Sequence, residues 1–121
     1  MHEPLSIVEH GSNEMLLTIA KNSDCDFDVG WYYVDGDGVE TLLPLADAFG
    51  WVMTQEDGDI IADLATYTTV VDGLAAVRIP ATVTELMDEI DRGVWELFGV
   101  ASGSGEQKKL LGGPVRVRED V

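Results

Sequence analysis

The sequence predicts an α+β domain: a mostly antiparallel sheet of short strands and hairpins, with one main amphipathic helix (about 83–98) packed on it. Three observations carry that expectation. Short apolar, β-branched and aromatic runs recur between turns rich in Gly, Asp and Asn. Asp35-Gly36-Asp37-Gly38 and Asp72-Gly73 stand between such runs as hairpin turns. A capping box, Thr82 with Glu85 three residues on, precedes apolar residues at helical spacing.

Leu5 to Glu9 reads as a short strand, and Met15 to Ala20 as a second apolar run. The intervening His10-Gly11-Ser12-Asn13 is turn chemistry, so the two form an opening hairpin. Asp24 to Val34 is the clearest strand. Alternation puts Cys25, Phe27, Val29, Trp31 and Tyr33 on one face and Asp24, Asp26 and Asp28 on the other. Val39 to Leu43 returns as its partner. Pro44 opens a short helical turn that Gly50 closes, and Trp51-Val52-Met53 follows as a brief strand. Ile60 to Val71 is ambiguous: its first half has helical spacing, while Thr66 to Val71 is β-branched. Leu74 to Ile79 completes a hairpin at Asp72-Gly73 and ends at Pro80. The helix over 83–98 carries an apolar stripe of Leu86, Met87, Ile90, Val94, Leu97 and Phe98, with Gly99 as its stop. Glu85, Asp88, Glu89, Arg92 and Glu96 form its polar face.

Residues 1–100 form the domain proper, and residues 101–121 a linker with a C-terminal arm. Ala101 to Gln107 has linker composition. Val115-Arg116-Val117-Arg118 alternates and could add as an edge strand. The charge divides at the same place. Residues 1–100 hold 20 acids and 3 bases, a net of -17, and residues 101–121 hold 3 acids and 4 bases, a net of +1. The arm is therefore suited to lie on an acidic surface, its own or a neighbour's.

The formal net charge of -16 comes from 23 acids against 7 bases in 121 residues. Disorder is not its cause, because 45 % of the residues are hydrophobic, enough for a core. Such a charge argues against direct nucleic-acid binding, since phosphates demand Lys and Arg, and against anionic membranes. It fits either a surface adapted to high salt or an acidic surface that faces a basic partner. The single cysteine, Cys25, excludes an internal disulfide and any multi-cysteine zinc site. No apolar run is long enough to span a membrane, and the N-terminus lacks signal-peptide regions. A cytoplasmic or virion location is the expectation.

Asp24, Asp26 and Asp28 have the spacing of a calcium loop. The glycine such a loop needs at its sixth position is Val29 here, so a solvated strand face competes with the cation site. Asp35, Asp37 and Glu40, and also Glu56, Asp57 and Asp59, lie in turns whose chemistry explains them without catalysis. His2 sits at the terminus and His10 in a turn, and Cys25 lies on an apolar strand face. Neither a Gly-x-Ser-x-Gly elbow nor a phosphate-binding glycine loop is present. No cofactor is expected.

On a helical wheel Trp95 falls between the apolar and acidic faces, where an aromatic anchors a partner unless the sheet curls round to cover it. Tyr32 and Val34 stand on the aspartate face of their strand, which suggests contact with a further layer or subunit. Trp95, Tyr32, Arg116 and Arg118 are therefore the candidate partner-binding residues. The function expected is a non-catalytic assembly protein with a halophilic type of surface, acting in a homo-oligomer or on a protein partner. A small virion component, such as a capsid decoration or head–tail connector subunit, suits the size and the arm. The alternative is an acidic mimic of nucleic acid that occupies the groove of a DNA- or RNA-binding protein. Its carboxylates would be Asp24, Asp26, Asp28, Glu85, Asp88, Glu89 and Glu96.

Overall fold

The computed structural model describes residues 5–8, 14–34, 36–54 and 58–119. It is a two-layer β structure. Sheet I contains β1 (Leu5–Val8), β3 (Cys25–Val34), β4 (Glu40–Leu43), β7 (Thr68–Val71) and β8 (Leu74–Ile79). Sheet II contains β2 (Leu17–Lys21), β5 (Leu45–Thr54), β6 (Ile60–Asp63), β9 (Ile90–Ala101) and β10 (Gln107–Glu119). The only helices among the described residues are single turns of four residues, α1 (Leu64–Tyr67) and α2 (Ala81–Thr84). Neither is long and apolar enough to cross a membrane.

Sheet II runs in the order β2-β10-β9-β5-β6, antiparallel except for the β2/β10 pair. In sheet I the order is β1-β3-β8-β7. β4 pairs with β3 at Trp31–Val34, beyond the stretch of β3 that pairs with β8. The sheets share one core, in which Trp31, Val29, Val77 and Ile79 of sheet I meet Ile19, Val52, Trp95, Leu97 and Val117 of sheet II. Phe27 meets the Trp95 ring edge-on, with centroids 5.7 Å apart. Burying these side chains is worth about 1.5–3 kcal/mol each, which is the main force holding the layers together.

The chain changes sheet five times: from β1 to β2, β2 to β3, β4 to β5, β6 to β7 and β8 to β9. α1 stands at the fourth of these crossings and α2 at the fifth. At Pro44, β4 turns directly into β5. Proline has no N–H to give to a ladder, so a strand corner suits it. The corner is held by Leu45 N donating to the Gly73 carbonyl at 3.1 Å and Ser102 N donating to the Pro44 carbonyl at 2.9 Å. The β7–β8 hairpin at Asp72-Gly73 forms as expected. Both residues have positive φ, 53° and 79°, which is the type I′ geometry that matches strand twist.

The expected α+β fold with a main helix over 83–98 is not what the chain adopts. Residues 90–101 are β9, a central strand of sheet II. Gly93, Trp95, Leu97, Gly99 and Ala101 point inward and are buried, while Val94, Glu96, Phe98 and Val100 are half-buried on the outer face. A helix would have placed Gly93 in its interior, at a cost of about 1 kcal/mol relative to Ala. In the strand, Gly93 and Gly99 leave room for neighbours. A Cβ at Gly99 would stand 2.8 Å from both Leu110 Cδ1 and Leu45 Cδ2.

The helical part of the expectation shrinks to α2. Its N-cap, Pro80, offers no side-chain bond; instead Asp24 Oδ1 accepts from Ala81 N at 2.8 Å. The helical turn expected after Pro44 is also absent, because 45–54 is one long strand. The opening hairpin is replaced as well, with β1 and β2 in different sheets. The turn expected at 10–13 lies outside the described residues.

Candidate functional site

Sheet II has an unusual outer face. In β5 the inward residues are small, Ala48, Gly50 and Val52, and all are buried. The outward residues are large: Phe49, Trp51 and Met53, each half-buried. Register extends this pattern across the sheet. Phe49 pairs with Phe98, and Phe98 with Lys109. Trp51 pairs with Glu96, and Glu96 with Gly112. Met53 pairs with Val94, and Val94 with Pro114. The outer face therefore carries rows of apolar and aromatic side chains, where a solvated face of an antiparallel sheet usually carries polar ones.

The rings form one cluster. Phe49 and Phe98 stack with centroids 5.3 Å apart and planes 9° apart, and Trp51 leans on Phe98 at 5.5 Å and 38°. The Trp51 indole Nε1 is shut off from solvent and has no hydrogen-bond acceptor. Lys109 lies on the β10 side of the cluster. A Cβ at Gly112 would stand 2.6 Å from Lys109 Cε, so the lysine stem lies across this glycine.

Bases gather on the same sheet. Lys21, Arg92, Lys108, Lys109, Arg116 and Arg118 belong to sheet II strands, while Arg78 alone belongs to sheet I. Arg116 is exposed, and Arg118 is held by Asp91 at 2.8 Å on the solvent side. Both alternate with buried Val115 and Val117, so they face outward. The segment expected as a detachable arm is thus laid between β9 and β2. The linker expected over Ala101–Gln107 is the turn of the β9–β10 hairpin at 102–106, with Ala101 and Gln107 ending the two strands.

Trp95 is fully buried, and its Nε1 donates to the Met15 carbonyl at 2.9 Å. It is a core residue of β9 beneath the aromatic face, and it presents no surface to a partner. Tyr32 is half-buried on the outer side of β3. Its ring lies over Gly30 beside Leu74, both of which would crowd a Cβ placed there. The side chain of Val34 lies outside the described residues.

The aspartates of β3 are engaged with the fold. Asp28 pairs with Arg78 at 2.7 Å, and Arg78 also donates to the Val77 and Phe27 carbonyls. Asp24 caps α2, and Asp26 has a partner of its own. Among the described residues, no group of three His, Cys, Asp or Glu is placed to hold a metal. His2, His10, Asp35, Glu56 and Asp57 lie outside the described residues. Burial, with Asp26 adding to it, pushes the Cys25 thiol up to about 11, which keeps it protonated at neutral pH.

At the opposite end from the Pro44 corner, an open groove of about 520 Å³ lies between the β5–β6 hairpin and α2. Its walls are Ile60, Ile61, Tyr67, Val83, Met87 and Ile90, with Asp59 and Asp88 beside them.

The aromatic face was missed in the sequence because Phe49 was read into a helical turn and Phe98 into a helix stripe. The signal available was Phe49-Gly50-Trp51-Val52-Met53, an alternation with its bulky members on the side opposite Val52.

Fold and surface together define a class: a two-sheet β-sandwich with an aromatic outer face. The sequence matches no protein-family model, and no curated protein is significantly similar to it.

Proposed function

We propose that the chain is a non-catalytic assembly subunit that joins to further copies of itself through the outer face of sheet II. One observation carries the reading: Phe49, Trp51 and Phe98 form a ring cluster on the outside of a two-layer fold, while the same strand turns its small residues inward. Aromatic residues concentrate binding energy at interfaces. Charge supports a second copy as the occupant. With 20 acids among residues 1–100, most other surfaces of a neighbour are acidic, while Lys109 stands opposite Phe98 in the ladder beside the rings. A contact between this face and a different, acidic face is heterologous, so successive copies close into a ring or extend as a filament. A virion shell or connector is the setting proposed for such a subunit.

The nucleic-acid mimic is not favoured by the geometry. Asp26 and Asp28 face outward from sheet I, and Glu96 faces outward from sheet II, so these carboxylates do not share one face.

The test is the oligomeric state by light scattering in about 1 M salt, where self-repulsion is screened. The wild type should be oligomeric, and Phe49→Ser/Phe98→Ser should be monomeric with its β-sheet circular dichroism intact. A monomeric wild type at every concentration and salt tested, or an oligomer that survives the double substitution, would overturn the reading.

A further inference from the structure

A second surface stands apart from the aromatic face. We infer that the free edge of β6 and the adjoining end groove bind an extended segment of another protein, one that alternates apolar residues with Lys or Arg.

β6 closes one side of sheet II and, among the described residues, pairs with β5 alone. Among the described residues no strand covers its other edge over Ile60–Asp63, a template on which a further strand can add. Natural edge strands are usually blunted by lysine, proline or a covering element. Here the edge has neither lysine nor proline, and its first residue, Ile60, is 64 % exposed.

Side-chain recognition has a place beside the edge. The groove begins at Ile60 and Ile61 and continues over Tyr67, Val83 and Met87 to Ile90. Leu86, 81 % exposed, stands on its α2 side. Leaving Ile60 and Leu86 in water forfeits roughly 1.5–3 kcal/mol of burial for each. A strand on the β6 edge would direct every second side chain toward one face.

Charge selects the sequence of that strand. Asp59 and Asp88 line the groove, and Glu85 and Glu89 flank its α2-side segment in sequence; all four are exposed. The only base within 83–92 is Arg92. An acidic strand would meet like charge at Asp59 and Asp88. One with alternating Lys or Arg would place cations against these carboxylates while its apolar residues enter the groove. The backbone ladder supplies affinity, the groove fixes register, and the acidic rim sets partner choice and on-rate.

The probe is a capped decapeptide of alternating Val and Lys, titrated into ¹⁵N-labelled full-length protein. Shifts should concentrate on the amides of residues 58–63 and 83–90, with a micromolar Kd that weakens as salt rises. Ile60→Ser/Leu86→Ser, which alters two exposed positions, should weaken binding at least tenfold at an unchanged melting temperature. Asp59→Asn/Asp88→Asn should weaken it and flatten the salt dependence. Three results would each overturn the inference: shifts centred elsewhere, equal affinity for a Gly-Lys decapeptide without apolar residues, or equal affinity for a peptide N-methylated at alternate positions. The Phe49→Ser/Phe98→Ser variant should bind the peptide as the wild type does, so failure at one surface is distinguishable from failure at the other.

Discussion

Gly93→Ala separates the two readings of residues 90–101 by the sign of its effect. In a helix interior the substitution stabilises by roughly 0.5–1 kcal/mol, because glycine is the poorer helix former. In the observed strand, Gly93 faces inward at the junction of β5, β9 and β10. A Cβ there would stand 2.5 Å from Val115 Cγ1, 2.7 Å from Ile90 Cδ1 and 2.8 Å from the Met53 carbonyl oxygen. The first two are side-chain ends and can shift. The third is backbone within the β5–β9 ladder and moves only with its strand. Overpacking of this kind costs about 1–3 kcal/mol. For a domain of this size that lowers Tm by roughly 4–12 °C. Thermal and urea unfolding followed by far-ultraviolet circular dichroism would measure it. Gly36→Ala is the control. Nothing lies within 4 Å of its Cβ position and its φ is not positive, so its Tm should stay level or rise slightly. A Gly93→Ala protein that melts at or above the wild type would refute the inward placement of Gly93 and the strand assignment with it.

Two further outcomes are expected. The Cys25 thiol is raised from 9.0 to about 11, so between those pH values the unfolded chain loses a proton that the folded chain keeps. Stability from this group is fully present below pH 9 and is lost as pH rises toward 11, by up to about 2 kcal/mol. The difference in urea midpoint between wild type and Cys25→Ala, measured from pH 8 to 11, should narrow across that window, and a constant difference would refute it. The net charge of -16 should make Tm rise between roughly 0.1 M and 3 M KCl, because the Debye length shrinks from about 10 Å to under 3 Å. A flat melting curve over that range would count against a surface adapted to high salt.

Local turn chemistry was the most legible part of the fold. Asp72-Gly73 specifies its hairpin through two positive φ angles, a property of those two residues alone. The Asp24–Val34 strand was equally readable, since Asp26 and Asp28 alternate with Phe27 and Val29. What failed was long-range. Nothing local in Leu5–Val8 and Leu17–Lys21 says that they join different sheets, because each pairs in parallel with a strand distant in sequence. The Val115–Arg118 alternation was read as an edge strand, but β10 is an interior strand of sheet II, and its two neighbours, β2 and β9, were not apparent. Trp95 was placed on a boundary by a helical wheel that does not exist. In the strand, its neighbours two residues away, Gly93 and Leu97, are buried with it.

The misread helix and the candidate binding face have one cause. Alternation marks a strand only when one face is apolar and the other polar. In β9 the outer face carries Val94, Phe98 and Val100, so apolar residues run on through 94–101 with Glu96 as the only interruption. Such a run satisfies helical spacing as easily as strand spacing. In β5, Phe49, Trp51 and Met53 blur the alternation in the same way, and the small inward residues make the strand look locally helical. A solvated sandwich would have no use for this pattern, since each large apolar side chain left on the outside forfeits burial energy that the fold could have gained. Sequence rules break most often where function overrides folding consistency. Here they break at the strands bearing the Phe49–Trp51–Phe98 cluster and hold at Asp24–Val34, whose outer aspartates are paired with Arg78 and α2. Under the proposed assembly role the acidity of the chain has a physical part to play. It would keep copies apart wherever two acidic surfaces meet, and would leave the aromatic face of sheet II as the place where contact with a neighbour is favoured.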